Sequence, residues 1–244
     1  MTGGGTLATA ERVLGQVRHD PRTVALLLVV PCILLGLMAW VFVDTPTFDR
    51  LGASILGLFP FVVMFIVTSV VMLRERQAGT LERLMTTPLG RVDLLLGYAL
   101  AFGVLAVAQA VIATAFAVWV AGLDVAGDTW VLVVVAVGVA LLGVTLGLLG
   151  SAFASTELQA VQLMPAVVLP QFFLCGLLVP RADLPRGLQE LSDVLPLSYA
   201  VDAMRTVTVE AGAPSSLWGD LAVLAGFVVG AVVLASLTLR RRTP

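Results

Sequence analysis

Lysine is absent from this chain, and histidine and cysteine are nearly so. The 244 residues contain fourteen basic side chains, all arginine, together with one histidine (His19) and two cysteines (Cys32 and Cys175). Without lysine the chain cannot form a phosphate-binding loop of the G-x-x-x-x-G-K-[ST] type, whose lysine contacts the phosphates. A single histidine excludes a histidine-based metal cluster and a catalytic triad within the apolar segments. We therefore expect no catalytic residues, no metal site and no cofactor bound by this chain.

Charge is also scarce. Only 12% of the residues are charged and 59% are hydrophobic, whereas an ordinary soluble domain carries about 25% charged residues. The composition is uniform, so we expect a single membrane domain over residues 1–244 and no soluble domain. The first apolar run is too long for the core of a signal peptide, and we expect it to remain as a membrane anchor. No basic patch alternates with aromatic residues, so nucleic-acid binding has no support.

Six apolar runs predict an all-α integral membrane protein with six transmembrane helices. Each run approaches or exceeds the roughly 20 helical residues that cross a hydrocarbon core of about 30 Å. The approximate bounds are 24–43, 55–73, 94–120, 130–153, 161–179 and 217–239. Residues 44–50 predict a polar turn between the first two spans, and Asp20-Pro21 predicts a capped helix start.

An amphipathic helix is predicted over residues 7–19, ahead of the first span. Apolar residues recur there at three- and four-residue steps, which is typical of one helix face. They are Leu7, Ala10, Leu14 and Val17. Such a helix next to a span is expected to lie in the plane of the lipid head groups.

The placement of arginine predicts the orientation in the membrane. Six spans put both termini on one side, and that side holds ten of the fourteen arginines. The positive-inside rule assigns the arginine-rich side to the cytoplasm. We therefore expect a multi-pass protein of the plasma membrane with both termini cytoplasmic, residues 74–90 on the cytoplasmic side and residues 180–216 outside.

Residues 74–90, between spans two and three, are the most charged stretch of the chain and are expected to lie in water. Gly79 and Thr80 interrupt the second span and can start a short amphipathic helix, whose first turn places Glu82 where the helix dipole favours negative charge. The apolar face comprises Leu81, Leu84 and Met85, and the polar rim comprises Glu82 and Arg83. Such a face could insert into a groove of a partner. A solvated loop that merely satisfies the positive-inside rule is the alternative.

Residues 180–216, between spans five and six, predict two short outer helices. Leucines recur at helical spacing around Pro185, and Leu195-Pro196 ends that pattern. Residues 199–205 predict the second helix. Half-apolar helices of this kind can re-enter a bilayer if protein or water satisfies their ends. A plain interfacial loop is the alternative.

No carboxylate or histidine lies at mid-depth in a span, and proton-coupled transporters usually carry one there. The mid-span polar groups are therefore the candidates for a substrate path, although such groups more often hold helices together. The candidates are Gln171, Gln109 and Ser69.

Three motifs carry a resemblance to a known family. They are residues 12–23, residues 79–84 followed by Thr87-Pro88, and residues 195–200 followed by Asp202 and Arg205. Together with the six spans, these motifs resemble the ABC-2 type permeases, and within them the drug-export branch typified by daunorubicin-resistance permeases.

That resemblance implies the membrane half of an ATP-driven exporter for an amphipathic drug, lipid or glycolipid. A separate ABC ATPase subunit, expected in two copies, would bind ATP and magnesium. A second permease chain, identical or different, would complete the pathway in the lipid bilayer. The implied ATPase-coupling residues are Arg74, Glu75, Arg76, Gly79, Thr80, Leu81, Glu82, Arg83, Leu84, Met85 and Glu157. The implied outer-gate residues are Pro196, Tyr199 and Arg205. A stand-alone secondary transporter or channel and a non-transporting membrane scaffold are the alternatives.

Overall fold

The computed structural model describes residues 3–43, 45, 47–78, 91–210, 212 and 214–238. Its described part is helical, without a strand. The helices are α1 (Gly3–Arg18), α2 (Pro21–Val41), α3 (Thr47–Gln77), α4 (Arg91–Trp119), α5 (Thr129–Gly150), α6 (Glu157–Leu174), α7 (Arg186–Asp193), α8 (Pro196–Val209) and α9 (Ser215–Thr238). Six of these, α2 to α6 and α9, are long and apolar enough to cross a membrane. The predicted all-α membrane fold with six spans is therefore confirmed.

The start of α2 follows the predicted cap. Oδ1 of Asp20 accepts hydrogen bonds from the backbone N–H groups of Arg22 and Thr23, and Oδ2 accepts one from the Thr23 hydroxyl at 2.7 Å. Pro21 occupies the first helical position, where its missing N–H costs nothing. The hydrogen bonds from Thr23 hold the pKa of Asp20 below its ordinary value.

The second span is longer than predicted. The helix α3 runs for 31 residues, or about 46 Å at 1.5 Å per residue, which is longer than a hydrocarbon core of about 30 Å. The predicted polar turn over residues 44–50 is therefore wrong for its second half. Phe48 is buried against Leu123 and Gly52, and Asp49 lies in the first turn, where its charge suits the helix dipole.

The fifth span lies closer to the N-terminus than the predicted 161–179. It begins at Glu157 because Thr156 caps it, with its hydroxyl accepting from the N–H of Gln159 at 3.2 Å. It ends at Leu174, since Gly176 adopts a φ of 87°, which favours glycine and stops a helix. The other span bounds agree with the predictions to within about three residues.

Helix α1 begins at Gly3, earlier than the predicted residue 7, and its buried side differs from the predicted face. Ala10, Val13 and Val17 are buried, while Leu7 is exposed. This side packs along α4, where a Cβ added at Gly97 would lie 2.6 Å from Cβ of Thr9. The position of α1 in the head-group plane stays a prediction.

The centre of the bundle is the contact between α3 and α5. A Cβ added at Gly143 would lie 2.4 Å from the carbonyl oxygen of Phe61, and one added at Gly147 would lie 2.6 Å from that of Phe65. Two glycines four residues apart thus let the backbones of α3 and α5 approach closely, as small residues do in membrane helices. Helices α2, α6 and α9 lie at the periphery, with most of their surfaces exposed.

The two ends of the bundle are named here by their charged residues. The inner end holds Arg74, Glu75 and Glu157, and the outer end holds Arg50, Arg181 and Arg205, following the predicted orientation. Helix α3 is the element that carries charged residues at both ends. The predicted outer helices are present as α7 and α8, and α8 is longer than expected, reaching Val209.

Candidate functional site

The inner end joins two regions that lie far apart in the sequence. Near the end of α3, Arg74 binds Glu157 at the start of α6 through two parallel hydrogen bonds, from Nε at 2.7 Å and from Nη2 at 3.0 Å. This bidentate geometry is the strongest that arginine and carboxylate form. Both side chains are about half exposed, so the pair faces the surface.

A second contact supports the same junction. Nε2 of Gln77 donates to the carbonyl oxygen of Ser155 at 2.8 Å, and the N–H of Ser155 donates to Oε1 of Gln159 at 2.8 Å. The link between α5 and α6 is therefore held against the last turn of α3. The residues predicted as a main and a minor partner contact, Arg74 and Glu157, form one continuous surface.

Glu75 faces the other way. Its side chain is 9% exposed, and its Oε1 lies 3.3 Å from Nη1 of Arg12 in α1. Nη2 of Arg12 in turn donates to the hydroxyl of Tyr98 in α4 at 2.6 Å. Glu75 was predicted as part of the partner-facing stretch, but burial leaves it little surface to offer. It fastens α1 and α4 to the end of α3 instead.

Around these side chains lies a cavity of about 340 Å³. Its walls come from the end of α1, the start of α2 and the end of α3. They are Gln16, Val17, Asp20, Thr23, Val71, Arg74, Glu75 and Ala78. Arg76 is half-buried, and its Nε has no hydrogen-bond partner in the described part of the chain.

The predicted coupling helix itself lies outside the described residues. That holds for all seven of its predicted contact residues, so their roles stay predictions. They are Gly79, Thr80, Leu81, Glu82, Arg83, Leu84 and Met85. The structure describes the residues that precede that segment, which form the last turn of α3, and the side chains that contact this turn.

The outer end is built around Arg181. Its guanidinium binds the carboxylates of Asp193 and Asp202 and lies 5.5 Å from the ring centre of Tyr199. Burial lowers the pKa of Arg181, but the hydrogen bonds and charges of the two carboxylates outweigh it, so the pKa stands above its ordinary value. This residue therefore ties the start of the outer segment to both α7 and α8.

The predicted outer-gate residues lie in this region but do not share one role. Tyr199 donates its hydroxyl to the carbonyl oxygen of Asp193 at 2.7 Å, and Pro196 is buried at the first position of α8. Arg205 is exposed and lines a cavity of about 470 Å³ between α3, α8 and the segment after α6. Tyr199 and Pro196 thus hold the outer helices in place, whereas Arg205 faces an open space.

The three candidates for a substrate path lie apart from both cavities. Gln171 joins α6 to α8, since Oε1 accepts from the N–H of Leu197 at 3.3 Å and Nε2 donates to the carbonyl oxygen of Val167 at 3.0 Å. Gln109 and Ser69 are buried, and their side-chain polar atoms have no partner within the described ranges. Gln171 acts as a contact between helices, and the path role of all three stays a prediction.

Sequence reasoning missed Arg12, Tyr98 and Arg181 as partners of the charged residues. A signal for the first pair was present, because Glu75 continues a stripe of α3 that includes Thr68 and Met72 at helical spacing, all of them buried. A carboxylate on a buried stripe needs a cation, and Arg12 supplies it. The pairing of Arg181 depends on how α7 and α8 fold back, which no local pattern reveals.

A comparison with family models supplies the remaining observation. The model described as ABC-2 type transporter matches residues 6–209, from within α1 to the end of α8. The chain belongs to the ABC-2 type transporter family. It is therefore a multi-pass membrane protein of a transporter family, as the six apolar helices require.

Curated relatives of this ABC-2 family member include bacterial and eukaryotic proteins. It is 28% identical over 170 residues to the probable multidrug ABC transporter permease YbhR of Escherichia coli (strain K12), covering 69% of this chain and 46% of that protein. It is 24% identical over 196 residues to ABC transporter G family member 20 of Dictyostelium discoideum, covering 80% of this chain and 27% of that protein. The chain thus spans less than half the length of these relatives. The daunorubicin-resistance branch stays a prediction.

Proposed function

We propose that this chain is the membrane-spanning permease subunit of an ATP-binding-cassette exporter that moves an amphipathic substrate out of the cytoplasm. The observation that carries the proposal is the joined surface of Arg74, Gln77 and Glu157 at the inner end. This surface brings the end of α3 and the start of α6 together. In the sequence it is followed directly by the stretch that resembles a coupling helix. A partner that pushes there would act on two spans at once.

Helix α3 is suited to carry such a push through the membrane. It is continuous from Thr47 to Gln77, with Pro60 inside it, and its close contact with α5 through Gly143 and Gly147 holds the half that follows Pro60 against that helix. The Arg12–Glu75 pair adds α1 to the same unit. A displacement of the last turn of α3 would therefore reach the outer end, where Ser54 lines the cavity beside α8.

The partner would be an ABC ATPase subunit, in two copies, that binds ATP and magnesium. This chain has no lysine and thus no phosphate-binding loop of the lysine-containing type. A second permease chain, identical or different, would complete the pathway, along the peripheral helices α2 and α6, whose apolar faces are largely exposed. Both termini would lie in the cytoplasm and the protein in the plasma membrane.

An amphipathic substrate is supported by the relatives and by the chemistry of the chain. YbhR is described as a probable multidrug permease, and the described spans carry few polar groups that could strip water from a strongly polar solute. A drug, a lipid or a glycolipid fits this description equally.

The proposal is tested by reconstitution. The tagged chain is purified with its bound ATPase, identified by mass spectrometry, and placed in vesicles with a fluorescent amphipathic dye. We expect ATP-dependent dye movement and dye-stimulated ATP hydrolysis. Gly79→Pro and Glu82→Arg should abolish both, and Gly187→Pro in α7 of the outer end serves as a control with a comparable backbone change.

Two outcomes would replace the proposal. Dye movement by the chain alone, without ATP or partner, would support a stand-alone secondary transporter or channel. A bound partner whose ATP hydrolysis responds to no substrate would support a non-transporting scaffold. Transport at the wild-type rate by Glu82→Arg would contradict the assigned role of residues 79–85.

A further inference from the structure

The outer cavity has a composition that the transport proposal does not use. Its volume is about 470 Å³, and it opens between the N-terminal turns of α3, the segment after α6 and the end of α8. Its lining includes the charged Asp49, Arg50 and Arg205 and the apolar Leu51, Leu177 and Val209. Charged and apolar side chains thus share one open cavity.

Two guanidinium groups face this cavity without a carboxylate of their own. Arg50 and Arg205 are both exposed, and neither forms an ion pair with any residue that the structure describes. Arginine presents several N–H donors in a planar fork that matches phosphate and carboxylate oxygens. Two such groups in one cavity favour an anionic ligand.

Among the described residues that line the cavity, the one carboxylate belongs to Asp49, and it is already engaged. Oδ1 of Asp49 accepts a hydrogen bond from the N–H of Asp124 at 3.3 Å, which turns this oxygen towards the loop between α4 and α5. Among the described lining residues, one carboxylate stands against two guanidinium groups, so the lining has a local excess of one positive charge. An anionic group that contacts both arginines would balance it.

A buried hydroxyl on the cavity wall is available as a hydrogen-bond donor, as are those of Thr68, Ser69 and Thr114 elsewhere in the described spans. Ser54 is 1% exposed, lines the cavity, and its hydroxyl has no hydrogen-bond partner within the described residues. A serine or threonine within a helix can donate back to a carbonyl of the preceding turn, as Thr145 does in α5. A buried hydroxyl without a partner costs stability unless a ligand or water completes it.

The apolar part of the wall distinguishes a head group with a tail from a simple anion. Leu51, Leu177 and Val209 line the same cavity as the arginines. Simple phosphate would gain nothing from these side chains, whereas an alkyl chain attached to the anion would bury apolar surface against them.

We propose that the outer cavity binds the anionic head group of an amphipathic molecule, with Arg50 and Arg205 contacting the charged oxygens and the Ser54 hydroxyl donating a further hydrogen bond. The ligand is an alkyl phosphate or a molecule of the same chemistry. It reaches the cavity either as an outer-leaflet lipid or as a molecule delivered through the protein. This site goes beyond the proposed transport function and needs neither ATP nor a partner.

The test is a binding measurement on the full chain in nanodiscs of phosphatidylcholine, with dodecyl phosphate as the probe and calorimetry as the readout. We expect Arg50→Ala/Arg205→Ala to raise Kd by about tenfold or more, and Ser54→Ala by about threefold. Arg50→Lys/Arg205→Lys keeps the charge and should lose less than the alanine pair. Arg186→Ala removes an exposed outer arginine that does not line the cavity and should leave Kd unchanged.

Several results would overturn the proposal. Equal Kd values for the wild type and the folded Arg50→Ala/Arg205→Ala protein would do so, as would an equal loss in Arg186→Ala. Inorganic phosphate binding as tightly as dodecyl phosphate would remove the amphipathic part of the claim. Nanodiscs of phosphatidylglycerol separate the two sources: competition with the probe at the arginines identifies a lipid, and its absence identifies a delivered molecule.

The binding site and the transport function can fail separately. If the chain binds dodecyl phosphate through Arg50 and Arg205 but moves no dye, the binding site is supported and the exporter function is contradicted. If it transports dye with ATP but shows no arginine-dependent binding, the exporter function is supported and the binding site is contradicted.

Discussion

The arginines at the two ends of the bundle differ in how they are paired. At the inner end, Arg12 and Arg74 each bind one carboxylate on another helix, so each of the two joins two elements. At the outer end, Arg181 takes two carboxylates, while Arg50 and Arg205 have none in the described part of the chain. Ion pairs between helices transmit position from helix to helix, whereas two guanidinium groups that face one cavity favour an anionic ligand. We therefore propose that the inner end is mechanical and that the outer end binds a ligand, with α3 between them.

The largest expected effect comes from disrupting the contact between α5 and α3, the helix that joins the two ends. Gly143→Val would force Cβ against the Phe61 carbonyl oxygen, which lies 2.4 Å from that position. Overpacking typically costs about 1–3 kcal/mol where side chains can shift, and we expect a larger cost here because the contacted atom belongs to the backbone and cannot move aside. We expect most of the protein to be lost from the folded fraction in detergent, as measured by size-exclusion chromatography and thermal melting.

Gly226→Val is the matched control for that experiment. It lies in the membrane helix α9, where an added Cβ would meet nothing within 4 Å. We expect a folded fraction close to that of the wild type. A similar loss for both variants would show that the spacing between α3 and α5 is not the cause.

The next effect tests the buried pair of the inner end. Glu75→Ala leaves Arg12 without its carboxylate partner, which we expect to lower the free energy of unfolding by about 1–3 kcal/mol. Glu11→Ala removes an exposed carboxylate of α1 and should change it by less than about 0.5 kcal/mol. Thermal melting of the two variants decides the matter, and equal shifts would mean that the pair does not fasten α1.

The doubly paired arginine of the outer end should matter somewhat less, because its partners are more exposed. Arg181→Ala leaves Asp193 and Asp202 without their shared cation, and we expect a loss of about 1–2 kcal/mol. Arg186 forms only an exposed pair with Glu190 at 3.5 Å, so Arg186→Ala should cost about 0–0.5 kcal/mol. If Arg186→Ala proved as destabilising as Arg181→Ala, the ion pairs of Arg181 with Asp193 and Asp202 would not contribute specifically to stability.

The smallest effect is a pH dependence at the start of α2. Hydrogen bonds from Thr23 lower the pKa of Asp20 in the folded protein, so the folded state binds this proton less readily than the unfolded state. The stabilisation is thus complete above the unfolded pKa of about 3.9 and is lost as the pH falls through the folded pKa. In that acidic range, we expect the melting temperature of Asp20→Asn to depend less on pH than that of the wild type.

Asp128→Asn provides the control for the pH experiment. Asp128 is the N-cap of α5, but its side chain makes no capping hydrogen bond. Its substitution should leave the acid dependence of the wild type in place. If the melting temperatures of the wild type and Asp20→Asn changed with pH in the same way, protonation of the Asp20 cap would not be coupled to folding.

The sequence sufficed for the features that depend on local patterns. Apolar runs predicted all six spans, and Asp20-Pro21 predicted a cap that the structure confirms atom by atom. The polar turn at residues 44–50 was partly wrong because leaving lipid does not stop a helix. Phe48 finds a buried place against Leu123, and that tertiary contact continues α3 upstream of the apolar run.

The site could be predicted only in part, for the same reason. Arg74 and Glu157 were singled out as charges at the membrane edge, but their direct contact depends on the packing of α3 beside α6. Which side of α1 is buried also follows from its neighbour, since Gly97 of α4 receives Thr9. The outer cavity has no local signature, because its arginines come from α3 and α8 and meet only in the folded bundle.

The central claim is that the inner end receives force through the joined surface of Arg74 and Glu157, and charge exchange tests it most directly. The pair is exposed, so its exchange should alter the free energy of unfolding by less than about 1 kcal/mol. The measurement is dye moved per ATP hydrolysed in vesicles for Arg74→Glu, Glu157→Arg and the double exchange. We predict a drop of about tenfold in each single variant and recovery in the double variant. Wild-type ratios in the single variants, or no recovery in a folded double variant, would contradict the claim.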